Sequence, residues 1–220
     1  MAPSAITETV APALDATKKV LVKPWARPSQ TKEDLAWAPL PKIDLSRFDE
    51  PGGKQALADE LADAVHRIGF WSVVNTGIDD ERVLKQFSIG NTFFKEPLEE
   101  KRRYPCNFAE GEYLGYRENS RWIGDTGVKE NIEMLNIPKA IPQMDHVPKH
   151  DIIAENYEEI ASFHRELFDK VVRKLMILIA IVLELPEDYL LNLHAYNELS
   201  DDHLRNMVSD ADSCLTECRS

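Results

Sequence analysis

The stretch from Ile68 to Ile78, Ile-Gly-Phe-Trp-Ser-Val-Val-Asn-Thr-Gly-Ile, limits the folds open to this chain more than any other. Phe70 to Val74 is a run of aromatic and β-branched residues bounded by Gly69 and by Asn75-Thr76-Gly77. That composition predicts a buried strand closed by a turn. On its N-terminal side Leu57, Leu61, Ala64, Val65 and Ile68 recur at three- and four-residue steps from Lys54, the stripe of an amphipathic helix that Gly69 stops. On its C-terminal side Ile78, Val83, Phe87, Phe93 and Phe94, with Asp79 and Asp80 at the start, predict a second helix ended by Pro97. The local order is therefore helix, strand, helix, which needs a mixed fold.

The rest of the chain extends that order. Residues 1 to 38 carry four prolines among Ala, Thr and Ser without sustained periodicity, and read as a loosely ordered arm with a short helical turn around Thr31 to Trp37. Leu40 to Leu45 alternates and has Pro41 at its start, an edge strand. Leu98 to Lys101 starts a short helix. Residues 102 to 150 are punctuated by Gly and Pro, with an alternating strand over Glu130 to Ile137. One long helix is expected over 151–185; its stripe widens until Leu175 to Leu183 is apolar on every side. A short helix follows Pro186 to about Leu193. The divisions expected are the arm, 1–38, a folded region, 39–208, and a disordered tail, 209–220.

Charge and cysteine content exclude some functions. A net charge of -12 repels phosphate backbones, so nucleic acid is not an expected partner. The longest apolar run, Leu175 to Leu183, is nine residues, whereas a bilayer-crossing helix takes roughly 20, so no membrane association is expected. The first twenty residues lack the arginines of a transit peptide and the apolar core of a secretory signal, which makes a cytoplasmic address the expectation. Three cysteines, Cys106, Cys214 and Cys218, form no disulfide framework and suit reduced thiols.

Four motifs carry a resemblance. Leu40-Pro41-Lys42-Ile43-Asp44-Leu45, Gly69 to Ile78, Phe93-Phe94-Lys95-Glu96-Pro97-Leu98-Glu99-Glu100-Lys101 and Tyr113-Leu114-Gly115-Tyr116 together resemble the N-terminal region of the isopenicillin N synthase-like iron(II) and 2-oxoglutarate-dependent oxygenases, over about 40 to 208. Thr76 departs from the His more usual in that motif. The resemblance implies an α/β (α+β) fold, the helix-rich N-terminal part of a double-stranded β-helix, or jelly-roll, oxygenase, with most of the barrel missing. It also implies iron(II), 2-oxoglutarate and a small-molecule substrate. Leu204-Arg205-Asn206-Met207 resembles the family's entry into the barrel.

The family holds iron with two His and one carboxylate, supplied as His-x-Asp and a distant His, and grips 2-oxoglutarate with Arg-x-Ser. No His-x-Asp occurs in this sequence. His164-Arg165-Glu166 is the nearest pattern, but two helical positions differ by roughly 200° and cannot share a metal. His146, His150, His194 and His203 have no ligand spacing and are expected as surface or capping residues. Arg27-Pro28-Ser29 matches Arg-x-Ser only as letters, and Cys214 with Cys218 lacks the further ligands of a zinc site. The pairs Glu99-Glu100, Glu158-Glu159 and Asp201-Asp202 are expected on solvated faces. Catalytic and metal-ligating residues are therefore none. The resemblance leaves Tyr113, Tyr116, Arg117 and Arg121 as candidate substrate contacts, with a packed Tyr and a solvated Arg as the plain alternative.

The expectation is a member of that oxidoreductase family which does not bind its cofactors or turn over as this chain alone. The alternative is a non-catalytic binding or regulatory module. A barrel would cover Leu175 to Leu183; without one, that helix is expected to be exposed and to drive self-association.

Overall fold

The central strand forms, shortened to Ser72–Val74 (β2). It pairs in parallel with Lys42–Asp44 (β1), in the register Lys42 to Ser72, Ile43 to Val73 and Asp44 to Val74. Parallel neighbours need a crossover, and Gly53–Arg67 (α1) supplies it. The computed structural model describes residues 21–119, 122–128 and 130–209. Ser72–Val74 is half-buried and Phe70 is 71% exposed, so the strand is less enclosed than its composition predicts. The reason is local: among the described residues β1 is its only strand neighbour.

A first core gathers Ile43, Leu45 and Phe48, then Leu57, Ala58 and Leu61 of α1, then Ile177 and Leu178 of a later helix. Val65 and Ile68, expected on the inward stripe, are 48% and 40% exposed. The buried face of α1 ends at Ala64.

The helix expected over 151–185 is interrupted. It comprises Asp151–Glu155 (α4), Tyr157–Leu167 (α5), a π-helical turn at Phe168–Val172 and Arg173–Val182 (α6). At Asn156 the backbone leaves helical geometry (φ -108, ψ 13), and its side-chain amide donates to the Ile152 carbonyl at 2.8 Å. That is the local competition with backbone bonding that asparagine offers. A π turn adds a residue and rotates the following face. Accordingly α5 gives Ile160 to a second core while α6 gives Ile177 and Leu178 to the first. This corrects the expectation of an uncovered apolar helix. α6 lies on α1, with Leu178 and Ala180 fully buried, Leu175, Met176, Ile179 and Ile181 half-buried, and Val182 and Leu183 at its end exposed, at 36% and 57%.

The second core lies between a three-stranded antiparallel sheet and the helices on one of its faces. The strands are Gly115–Arg117 (β3), Ile132–Pro138 (β4) and His203–Ser209 (β5), in the order β3-β4-β5. Asp80–Phe94 (α2) contributes Ile89 and Phe93, α4 contributes Ile152 and Ile153, and the sheet contributes Tyr116, Leu135 and Ile137. Two glycines permit the close approaches. A Cβ on Gly90 would stand 2.5 Å from the Asn206 side-chain oxygen of β5, and one on Gly115, whose φ is +109, would stand 2.7 Å from the Tyr104 carbonyl. Short helices at Leu98–Lys101 (α3) and Tyr189–Leu193 (α7), with 3-10 turns at Leu45–Arg47, Phe108–Glu110 and Pro142–Met144, complete the described elements.

Part of the arm is fastened rather than loose. The backbone N–H groups of Lys23 and Trp25 donate to the hydroxyls of Thr92 and Ser88, at 3.2 and 3.0 Å. The spacing fits: two extended residues advance about 6.6 Å and four helical residues about 6 Å, so alternate arm amides meet hydroxyls one turn apart. Trp25 stacks on Phe87 at 4.7 Å, and Arg27 pairs with Asp80. Residues 31–37 form no helix. Of the expected tail, 209–220, only Ser209 lies within the described residues, as the end of β5, and Cys214 and Cys218 lie outside them.

Replacing Leu178 with Ala is expected to cost about 2–5 kcal/mol, because it empties a fully buried site. Leu183→Ala, at an exposed helix end, is expected to cost within about 0.5 kcal/mol. Urea unfolding of both variants measures the contrast; equal losses would contradict the burial of α6.

Candidate functional site

Strand register divides the sheet into two unlike faces. Directly opposed residues of antiparallel strands share a face, and the pairs are Tyr116 with Leu135, Leu135 with Asn206, Arg117 with Met134, Met134 with Met207, and Asn136 with Arg205. Tyr116, Leu135 and Ile137 therefore face α2 and the second core. Arg117, Met134, Asn136, Arg205 and Met207 face the other way, where among the described residues the 3-10 turn Phe108–Glu110 lies against Arg117.

The four candidate substrate contacts separate accordingly. Tyr116 is 3% exposed, and its hydroxyl donates to Glu133 at 2.9 Å. Glu133 also receives the buried Lys101 ammonium at 2.7 Å. Burial, followed by the Glu133 contact, raises the Tyr116 pKa well above that of an ordinary phenol. Tyr116 is thus a core residue, which corrects its candidacy. Tyr113 is 44% exposed, stands against Phe108 at 5.2 Å, and accepts a 2.5 Å hydrogen bond at its carbonyl from the Asn136 amide. Arg117 lies on the open face. It makes a two-pronged ion pair with Glu130, one arm at 2.6 Å, and that hydrogen bonding raises its pKa. Its guanidinium also lies over the Phe108 ring at 5.7 Å, and its Nε is buried with no hydrogen-bond partner among the described residues. Arg117 is neither solvated nor available as a free cation. Arg121 lies outside the described residues.

Around Arg117 the open face forms a recess of about 480 Å³, lined among others by Phe108, Trp122, Ile132, Met134 and Arg205. This volume is in the range of small-molecule sites. Trp122 and Ile123, 60% and 53% exposed, stand at its rim. Sequence reasoning missed Asn136 and Arg205 as parts of this face. Leu204-Arg205-Asn206-Met207 has no apolar–polar alternation, so the face of Arg205 becomes legible only once β5 is paired with β4.

The described residues do not fit an iron site. No group of three His, Cys, Asp or Glu side chains converges among them. His164 packs against Tyr196, whereas Glu166 pairs with Arg82 and Lys170, so the two face apart as helical geometry requires. His150 is buried and caps α4, accepting from the Ile152 N–H at 3.2 Å. His194 lies 3.0 Å from Asp202, but the same carboxylate receives the fully buried Lys139 ammonium at 3.3 Å. His203 meets the Arg205 guanidinium at 3.1 Å. Two fixed cations at these groups oppose a third. Asp202 is consequently a brace rather than part of a solvated face: Ser200 bonds both Lys139 and Asp202, tying the end of β4 to the segment that enters β5. The other acidic pairs also engage neighbours, Glu159 with Arg82, Glu99 with Arg102 and Glu100 with Arg103.

Residues 40–169 match the family described as the non-haem dioxygenase in morphine synthesis N-terminal region. The UPF0676 protein C1494.01 of Schizosaccharomyces pombe is 29% identical over 168 residues, covering 72% of this chain and 48% of that protein. The 1-aminocyclopropane-1-carboxylate oxidase of Dictyostelium mucoroides is 23% identical over 171 residues, covering 72% and 46%. Among solved structures, full-length Neurospora crassa T7H in complex with alpha-KG superimposes with a TM-score of 0.62 at 19% identity, over 76% of this chain and 53% of that one. The chain spans about half the length of each.

The Lys139–Asp202 brace has a pH signature. Burial pushes the Asp202 carboxyl up, but the Ser200 hydroxyl and the charges of His194 and Lys139 outweigh it and hold the pKa below 3.8. A depressed carboxyl stabilises the fold fully above its unfolded pKa, and that contribution is lost as pH falls through the folded value. Asp202→Asn, which leaves the buried Lys139 ammonium with the Ser200 hydroxyl alone, is expected to cost about 1–2 kcal/mol at pH 7. The gap from wild type should close below about pH 4, as urea midpoints measured from pH 7 to pH 2 will show; a constant gap would refute the assignment.

Proposed function

Because the chain belongs to the non-haem dioxygenase N-terminal family, whose cofactors are iron(II) and 2-oxoglutarate, we propose that these 220 residues supply the helical flank and first sheet of a small-molecule oxygenase. On this reading the open face of β3-β4-β5 is a wall of the substrate chamber, and the chain does not turn over by itself. The observation that carries the reading is the asymmetry of that sheet. One face is sealed by α2 and α4, while the other presents an aromatic and thioether recess around Arg117. Helices on one side of a sheet leave its other side for a ligand or for further chain.

Catalysis in this family needs an iron with open positions for 2-oxoglutarate and oxygen. This sequence contains no His-x-Asp, and the described side chains do not fit the metal. The chain's own contribution is then to shape and position. Arg117 and Glu130 fix the floor, Asn136 links the Tyr113 carbonyl to Arg205, and Phe108 and Trp122 offer ring faces.

Anaerobic titration of the chain with iron(II) and 2-oxoglutarate is expected to give no stoichiometric visible absorption band, and a one-to-one band would overturn the claim that it does not turn over alone. For the open face, aromatic small molecules are expected to quench the emission of Trp122, read as the part of the signal lost in Trp122→Phe. A panel without any Trp122-dependent response would remove the reading of that face as a substrate wall.

A further inference from the structure

The open face carries two guanidinium groups in unlike electrostatic states. Arg117 is neutralised by Glu130, and both groups of that pair are largely buried, at 12% and 21% side-chain exposure. Arg205 donates from Nε to the Asn136 side-chain oxygen at 2.8 Å and contacts the His203 Nε2 at 3.1 Å. The His203 Nδ1 stands 2.7 Å from the Asp201 backbone carbonyl. Neither of the side chains that hold Arg205 is a carboxylate. Seven described arginines make ion pairs, in a chain of net charge -12, and Arg205 makes none with any described carboxylate. It is a cation with a fixed orientation and an unmatched charge, with two of its five N–H donors engaged. Beside it in the recess lie Phe108, Trp122 and Met134, flat or polarizable groups that suit a planar apolar body.

We propose that Arg205 is the specificity-determining residue of this recess and that the ligand class is a planar, apolar small molecule bearing a carboxylate. The proposal rests on the reading of the open face as a substrate wall and adds the charge and shape of what it takes. The ring system lies against Phe108 and Trp122, and the carboxylate accepts charge-assisted bonds from the free edge of Arg205. Arg117 does not serve as the anchor, because an incoming carboxylate would have to displace Glu130 and leave it partly buried without its partner.

The test is a matched pair of probes, naphthalene-2-carboxylate and naphthalene-2-carboxamide, titrated into the 220-residue chain by calorimetry and by Trp122 quenching. The carboxylate is expected to bind about tenfold or more tightly than the carboxamide. Arg205→Gln should abolish that preference while leaving carboxamide affinity unchanged, which also shows that the recess is intact. Arg205→Lys should retain part of the preference, and it decides the matter if the glutamine variant binds neither probe. Equal binding of the two probes by wild type, or an undiminished preference in Arg205→Gln, would overturn the role of Arg205 while leaving the open face as a binding wall. Failure of wild type to bind either probe would overturn both.

Discussion

The pairing register of β4 governs the rest of the structure. β4 bonds to β3 on one side and β5 on the other, and it alternates between a core-facing set, Leu135 and Ile137, and an open set, Met134 and Asn136. A shift of one residue would exchange the two sets. It would place the Asn136 amide against Phe93 and Ile152 and turn Leu135 to the open side. The cost of burying an unmatched amide among apolar groups is what holds the register. Gly115 and Gly90 serve the same end by letting backbone and strand approach where a methyl group would collide.

Charge bracing then secures what the register arranges. Lys101 and Tyr116 converge on Glu133 beneath the sheet, and Lys139, Ser200, His194 and Asp202 converge where β4 gives way to the segment before β5. Both ammonium groups are almost wholly buried. A buried ammonium is tolerated only when acceptors surround it, so these clusters hold the sheet's ends in one arrangement and oppose a metal at the same carboxylates.

The fold was legible where a signal is local. The helices at 53–67 and 80–94 and the strands at 42–44, 72–74 and 132–138 follow from periodicity and punctuation. The interruption at Asn156 and the π turn at 168–172 were not, because the apolar stripe runs on through them and only the division of labour between two cores requires a change of face. The docking of residues 22–27 was equally hidden, since backbone amides bonding to Ser88 and Thr92 leave no trace in the arm's own residues. At the candidate site, Arg117 lies on the open face and Tyr116 on the core face, although they are adjacent. Their separation is a property of the pleat, and its phase is set by Leu135 and Met134 on another strand.

The sequence alone determined the family motifs, the order of the elements, the acidic charge and the absence of a His-x-Asp pair, because each is a property of neighbours along the chain. The tertiary structure decided which face of the sheet is sealed, that α6 is covered by α1 rather than exposed, that Asp202 serves Lys139, and that Arg205 keeps an unmatched charge beside an aromatic recess. Each of these depends on partners far apart in the chain, and a one-dimensional pattern records that a residue is apolar or charged but not what packing brings against it.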